Sequence, residues 1–391
     1  MAKTSLSFVP NQKVNPKTWK EWDAFPTDSI LEFHRQLPEY SITPLHSLNA
    51  LSKKLGVNRI WVKDESHRFG LKSYKALGGS FAIARFLQQR YDLEDLHFEQ
   101  LHATNFPDSE EIVFATMTDG NHGLGVAYIV SKLGYESQIY VPKEMVSARI
   151  EAIEKVGGTV TIFEGGYDDA ARQIAKDAEE YGWKVISDTA WENYTQIPEW
   201  IIAGYSTIFE EVKEQLAWDV PTHIFIQAGV GSLASSLIQY FRTVYESDGI
   251  KIIITEPDCA NCFYHSAQIN DGKAHNYPGK VDTMMAGLAC AEPNPIAWPV
   301  IRDGTDFMLS CSDKISALGM RSYYHPEKSD PIIISGEAGA VTFGALIEMC
   351  RNPNYSAIKE KLELNSKSKI LLVNTEGATD PVNFEKVIQS G

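Results

Sequence analysis

Apolar and polar positions follow two alternating patterns along this chain. Short runs that are apolar nearly throughout, rich in Ile, Val and Phe, predict buried strands. They are RIWVKDE (59–65), EIVFATM (111–117), ESQIYVP (136–142), TVTIFEG (159–165), WKVISDT (183–189), HIFIQAG (223–229), KIIITEP (251–257) and KILLVNTEG (369–377). Between them lie stretches with helical spacing, such as SYKALGGSFAIARFLQQRY (73–91) and DDAARQIAKDAEEYG (168–182). Continuous apolar strands between amphipathic helices predict an α/β fold with mostly parallel sheets covered on both faces. The polar, irregular stretch 88–111 divides the pattern. It predicts a large domain from residues 1–87 and 190–391, and a smaller inserted α/β domain at 88–189.

Charge narrows the function classes. The 391 residues carry a formal net charge of −15. Such a chain is poorly suited to nucleic acid or to an anionic membrane surface. No apolar run is long enough to span a bilayer, and the first residues lack the apolar core of a signal peptide. Five cysteines (Cys259, Cys262, Cys290, Cys311, Cys350) are too few for a disulfide framework in a chain of this length. Cys259 and Cys262 have the spacing of half a zinc site, but no second pair completes it. The reading is buried thiols, no metal and a cytoplasmic protein, with a pairing of Cys290 left open.

In open α/β sheets ligands sit beyond the carboxyl ends of the strands. The residues there include Asp64, Asp119 to His122, Asp188, Gly229 to Ser232, Glu256 and Thr375. HIFIQAGVGSLASSLIQYF reads strand, glycine loop, helix. The N–H groups from Gly229, Val230, Gly231 and Ser232 then face an anion at the positive end of a helix dipole. The same loop also fits G-x-G-x-x-A, with Glu256 ending the next strand. On that stretch alone an NAD-dependent oxidoreductase is a competing reading.

Lys75 stands where a helix begins, before an apolar run. The helix dipole and burial would both disfavour an ammonium there and lower its pKa, as an imine-forming lysine requires; on these residues alone a surface lysine is the plainer reading. Lys72, one turn earlier, reads as a solvated lysine or a helper beside a phosphate.

Five motifs, in order, resemble pyridoxal-phosphate enzymes of fold type II, the tryptophan-synthase β type. They are Ser73-Tyr74-Lys75-Ala76-Leu77-Gly78-Gly79, Thr118-Asp119-Gly120-Asn121-His122-Gly123, Ala228 to Ser232, Glu337-Ala338-Gly339-Ala340 and Val373 to Gly377. Serine and threonine dehydratases carry arginine at the position of Leu77 and serine at that of Asp119. With RFGLKSYKALGGS, MMAGLACAEPNPIAWPVI and NTEGATDP, these departures make the chain similar to the diaminopropionate ammonia-lyase family. The resemblance implies a two-domain fold type II enzyme, a homodimer in amino-acid catabolism, with pyridoxal 5'-phosphate as cofactor and a small amino acid as substrate. The implied reaction is α,β-elimination of ammonia from D- or L-2,3-diaminopropionate, giving pyruvate and two ammonia by way of aminoacrylate. A serine/threonine dehydratase is the competing lyase.

Site residues follow by the same resemblance. Lys75 carries the cofactor. The backbone of Gly229, Val230, Gly231 and Ser232 holds its phosphate. Asn121 meets the ring 3′-oxygen, and Thr375 the ring nitrogen. Lys75, Asp119 and Asp188 are the catalytic set. Asp119 can attract the β-ammonium of the substrate, at about 4 kcal/mol for close charges at an effective dielectric near 20, and can serve as a second base. Asp188 lies near the substrate amine, with a helix N-cap as its plainer role. Thr118 contributes to substrate binding. His122, Tyr167, Trp191 and Glu337 are read as groups that shape the site or pack its walls.

Overall fold

The computed structural model describes residues 5–118, 120–164, 167–217, 219–245 and 249–390. The chain divides into two compact units. One is built from residues 1–25, 43–67 and 208–391, the other from 26–42 and 68–207. The second unit is thus larger than the inserted span drawn from sequence. It takes in the helix that starts at Lys75, because that helix packs on helices of the same unit.

The first unit holds a seven-stranded sheet. Its strands are β1 (Leu6–Pro10), β2 (Leu45–Ser47), β3 (Arg59–Asp64), β8 (His223–Gln227), β9 (Lys251–Pro257), β10 (Phe307–Cys311) and β11 (Lys369–Asn374). The second unit holds β4 (Val113–Met117), β5 (Glu136–Pro142), β6 (Thr159–Phe163) and β7 (Lys184–Val185). The order in the large sheet is β1-β10-β9-β8-β11-β3-β2. Its five inner strands are parallel, and the two edge strands run antiparallel. The inner strands are buried nearly along their whole length, with apolar middles, because both faces are covered. Ile60, Val62, Phe225, Ile253, Leu309, Ile370 and Leu372 join one core with Val341, Ala345 and Leu346 of the helix Glu337–Arg351.

The second unit's sheet runs β6-β5-β4-β7 and is parallel throughout. The helix Lys75–Arg90 crosses the helix Asn121–Lys132 there at backbone distance. A Cβ on Gly125 would lie 2.7 Å from the Ala76 nitrogen and 2.8 Å from its Cα. Only glycine permits this approach, and it sets where Lys75 stands relative to the loop before Asn121.

The sequence misses β1, β2 and β10. The first two are short, half-buried edge strands, and Phe307–Cys311 lacks the β-branched residues that mark the others. WKVISDT yields only the two residues of β7. All five cysteines are free thiols. Among the described residues no helix is long and apolar enough to cross a membrane.

Candidate active site

In the second unit, β4 and β7 are parallel neighbours, so the residues that follow them leave the same edge of the sheet. After β4 come Thr118 and the glycine turn; after β7 comes Asp188. Thr118 is buried, and its Oγ1 accepts hydrogen bonds from the N–H groups of Gly120 (2.9 Å) and Gly123 (3.0 Å). It fastens the turn that opens the helix Asn121–Lys132. Asn121 is the first residue of that helix and is half-buried. Asp119 lies outside the described residues, as does the side chain of Tyr167.

Asp188 is placed by a clasp on the backbone beside it. The Ile186 carbonyl accepts from Thr116 Oγ1 at 2.7 Å and pairs with His122 Nε2 at 2.8 Å. A carbonyl only accepts, so His122 carries its proton on Nε2. Its Nδ1 is buried and has no partner among the described residues. Burial holds the imidazole below its ordinary pKa, and thus neutral. Tyr194 Oη accepts from the Ser187 N–H at 2.9 Å and donates to the Val185 carbonyl at 2.8 Å. The half-exposed Trp191 stacks on Tyr194, with ring centroids 3.9 Å apart. Asp188 caps no helix; the next one begins at Gln196.

The clasp presents Asp188 to Lys75. Lys75 Nζ lies 2.5 Å from Asp188 Oδ2, and both side chains are largely buried. Burial alone would raise the carboxyl pKa, but the charge and hydrogen bond of Lys75, together with smaller contributions from the neighbouring groups, outweigh it and hold Asp188 at about 2. Burial alone would lower the lysine, but Asp188 holds it well above its ordinary value. This reverses the expectation for Lys75: in the chain by itself Asp188, together with the hydroxyls of Tyr74 and Tyr205, overrides desolvation. Tyr205 was not foreseen from sequence. It is fully buried, its ring packs edge-on against Tyr74 with centroids 4.9 Å apart, and its hydroxyl has no partner among the described residues. Lys72 is exposed, as a solvated lysine would be.

In the first unit, β8 and β11 are parallel neighbours, which brings the glycine loop and Thr375 to one sheet edge. Gly231 has φ +99°, and a Cβ there would lie 2.5 Å from the Phe263 ring. The turn therefore needs glycine, and it delivers the loop onto the start of the helix Ser232–Val244. Gly229 and Val230 are half-exposed. A second residue missed from sequence, Asn294, fastens this loop. Its N–H donates to the Val230 carbonyl at 2.9 Å and its Nδ2 to Ser232 Oγ at 3.0 Å. Gln227, the last residue of β8, donates from Nε2 to Thr375 Oγ1 at 2.7 Å. A buried amide closing an otherwise apolar strand was the available signal for it. Glu337 opens the helix Glu337–Arg351 and is paired with Asn383.

Glu256 corrects the oxidoreductase reading. It is fully buried, and its carboxylate accepts from the N–H groups of Phe263 (2.9 Å) and Tyr264 (2.7 Å). It caps the helix Cys262–Ile269 and offers nothing to a ribose. Burial pushes its pKa up to about 8.

The residues fit pyridoxal phosphate on three counts. A loop that only glycine can turn opens a helix, with N–H donors suited to a phosphate. A buried threonine hydroxyl, held from behind by an amide, ends the strand beside it. In the second unit, taken by itself, a largely buried primary amine lies next to a carboxylate. The pyridoxal-phosphate dependent enzyme family matches residues 37–376. The diaminopropionate ammonia-lyase of Salmonella typhimurium is 42% identical over 369 residues, covering 93% of this chain and 91% of that protein.

The chain belongs to the diaminopropionate ammonia-lyase family of pyridoxal-phosphate enzymes.

Structures of the Escherichia coli family member agree. The holo form superposes with a TM-score of 0.90 at 39% identity, covering 98% of this chain and 96% of that one. Its complex with D-serine gives a TM-score of 0.91 at the same identity and coverage. The fold is therefore that of fold type II pyridoxal-phosphate enzymes, and the family's cofactor is pyridoxal phosphate.

Proposed function

We propose that this ammonia-lyase family member eliminates ammonia from 2,3-diaminopropionate of either hand. The observation that carries this reading is the contact of Lys75 with Asp188, a largely buried lysine, held as its ammonium in the chain by itself, beside a carboxylate that stays ionised. Bound pyridoxal phosphate supplies the electron sink that acidifies the α-proton and lets the β-amine leave. Lys75 holds the cofactor and serves as the base on one face. Asp188 balances cationic amines at that position. The backbone N–H groups of Gly229, Val230, Gly231 and Ser232 bind the phosphate. Thr375 meets the ring nitrogen, and Asn121 the 3′-oxygen. Thr118 keeps the turn in shape for the substrate carboxylate.

Asp119 draws in the β-ammonium and serves as the base on the other face. The α-proton goes to a protein base, the Cα–H electrons form the Cα=Cβ bond, and the β-nitrogen leaves as ammonia with the Cβ–N pair. Water then converts aminoacrylate to pyruvate and a second ammonia. The complex of the E. coli enzyme with D-serine supports acceptance of D-substrates.

The protein acts as a homodimer in cytoplasmic amino-acid catabolism. Five cysteines outside any disulfide suit a reducing compartment. Side-by-side turnover of DL-diaminopropionate, D-serine and L-threonine tests the reading. Equal or faster release of keto acid from threonine would favour the dehydratase instead.

A further inference from the structure

We infer that Gln227 is a positioning residue that sets where the Thr375 hydroxyl points its proton, and so keeps the cofactor's ring nitrogen unprotonated. The inference rests on the proposal that Thr375 meets that nitrogen. Gln227 ends β8, Thr375 follows β11, and both are buried. Gln227 Nε2 lies 3.1 Å from the Val373 carbonyl and 2.7 Å from Thr375 Oγ1.

The first contact fixes the amide's orientation. A carbonyl only accepts, so the atom facing it is the NH2. Turned over, the amide would set oxygen against oxygen in a buried place. Its Oε1, on the other side, has no partner among the described residues. The same NH2 therefore donates to Thr375 Oγ1. A hydroxyl has one proton and two lone pairs. With one lone pair filled from behind, the proton must leave in another direction. Among the described residues no acceptor receives it. It is left to donate to the ring nitrogen, which must then keep its own lone pair. A nitrogen so held gives a milder electron sink, which favours prompt loss of the β-substituent over return of a proton to Cα.

The test uses holoenzyme loaded with pyridoxal phosphate labelled with 15N in the ring. The wild-type resonance is expected at the unprotonated position. Gln227→Met keeps the side-chain length and removes the donor. Its resonance is expected to move towards the pyridinium position, and α-proton exchange with solvent to rise several-fold relative to ammonia release. Thr375→Asp is the control, since a carboxylate facing the nitrogen protonates it. An unchanged resonance in folded Gln227→Met, with a moved one in Thr375→Asp, overturns the inference and leaves the Thr375 proposal standing. Unchanged resonances in both overturn the two together. Should Gln227→Met not fold, Gln227→Glu replaces it. A carboxyl donates when protonated and only accepts when ionised, so the resonance becomes pH-dependent; a wild-type resonance at every pH overturns the inference.

Discussion

Lys75 Nζ sits 2.5 Å from Asp188 Oδ2, and each group holds the other in its charged form. An ammonium cannot attack an aldehyde, so cofactor capture waits on loss of the Lys75 proton. Asp188→Asn removes the charge that opposes burial of the lysine, and the Lys75 pKa falls. The variant is expected to capture pyridoxal phosphate faster at neutral pH, with its pH dependence moved to lower pH. Its turnover of diaminopropionate is expected to fall as well, because the charge that balances cationic amines at that position is gone. Stopped-flow absorbance of cofactor-free protein mixed with pyridoxal phosphate measures capture. Slower capture by the variant across the pH range would contradict the assignment.

The same pair makes stability depend on pH. The Asp188 pKa is depressed from 3.8 to about 2 in the folded chain. A depressed carboxylate contributes stability that is complete above its unfolded pKa and lost as pH falls through the folded one. The urea midpoint of the cofactor-free protein is therefore expected to drop between about pH 4 and pH 2. Asp188→Asn should flatten that drop. At the alkaline end the sign reverses: Lys75 is raised, so its contribution is complete below the ordinary value of 10.5 and lost as pH rises past the folded one.

The proposed role of Asp119 has a stereochemical consequence. With Lys75 as base on one face and Asp119 on the other, Asp119→Asn should abolish most turnover of D-diaminopropionate and spare much of that of the L-isomer. Separate assays on each isomer, coupled to pyruvate formation, give the answer. Wild-type rates on both would remove Asp119 from the chemistry.

Residues whose place in the backbone is announced locally were legible in the sequence as positions. Lys75 opens a helix, Gly229 to Ser232 follow a strand, and Asp188 follows another; each sits in a motif that fits its backbone. Asn294 and Gln227 were not, because their partners are distant or lie on another strand. Asn294 reaches Ser232 across 62 positions and Gln227 reaches Thr375 across 148, separations that leave no periodic trace. Tyr205 falls in an apolar helical stretch, where a tyrosine reads as packing. The Lys75 pKa was misjudged for the same reason, since the decisive carboxylate is 113 residues away. Glu256 misled because a strand-end acid looks alike whether it faces a ribose or caps a helix.

Asn294 offers a direct test of the phosphate loop. Its amide orientation is fixed, because Oδ1 accepts from the Ile296 N–H at 3.3 Å, which leaves Nδ2 to hold Ser232 Oγ. Asn294→Ala removes a buried donor and leaves Ser232 to re-aim. A lost buried hydrogen bond of this kind costs about 1–3 kcal/mol, or roughly fivefold to a hundredfold in affinity. Fluorescence titration of the cofactor-free variant should show weaker binding of pyridoxal phosphate by that factor. Circular dichroism should show the fold retained. Unchanged affinity would reduce Asn294 to packing.

Two glycines on neighbouring helices separate close approach from mere smallness. A Cβ at Gly125 would fall 2.7 Å from the Ala76 nitrogen and 3.0 Å from the Lys75 carbonyl carbon. Backbone cannot swing aside as a side chain does, so the two helices must part. Gly125→Ala is expected to cost about 1–3 kcal/mol, the usual range for overpacking, and to lower turnover because the displaced backbone carries Lys75 itself. A Cβ at Gly79 would meet its nearest atom, Val126 Cγ2, at 3.5 Å, an ordinary contact. Gly79 lies inside the helix Lys75–Arg90, where alanine is favoured over glycine by about 1 kcal/mol. Gly79→Ala should therefore melt at the same temperature as wild type or higher. Thermal melts of the two variants check this pair of opposite signs. Equal destabilisation would mean that Gly125 is no closer to Lys75 than its neighbour, and would undo the account of how that lysine is placed.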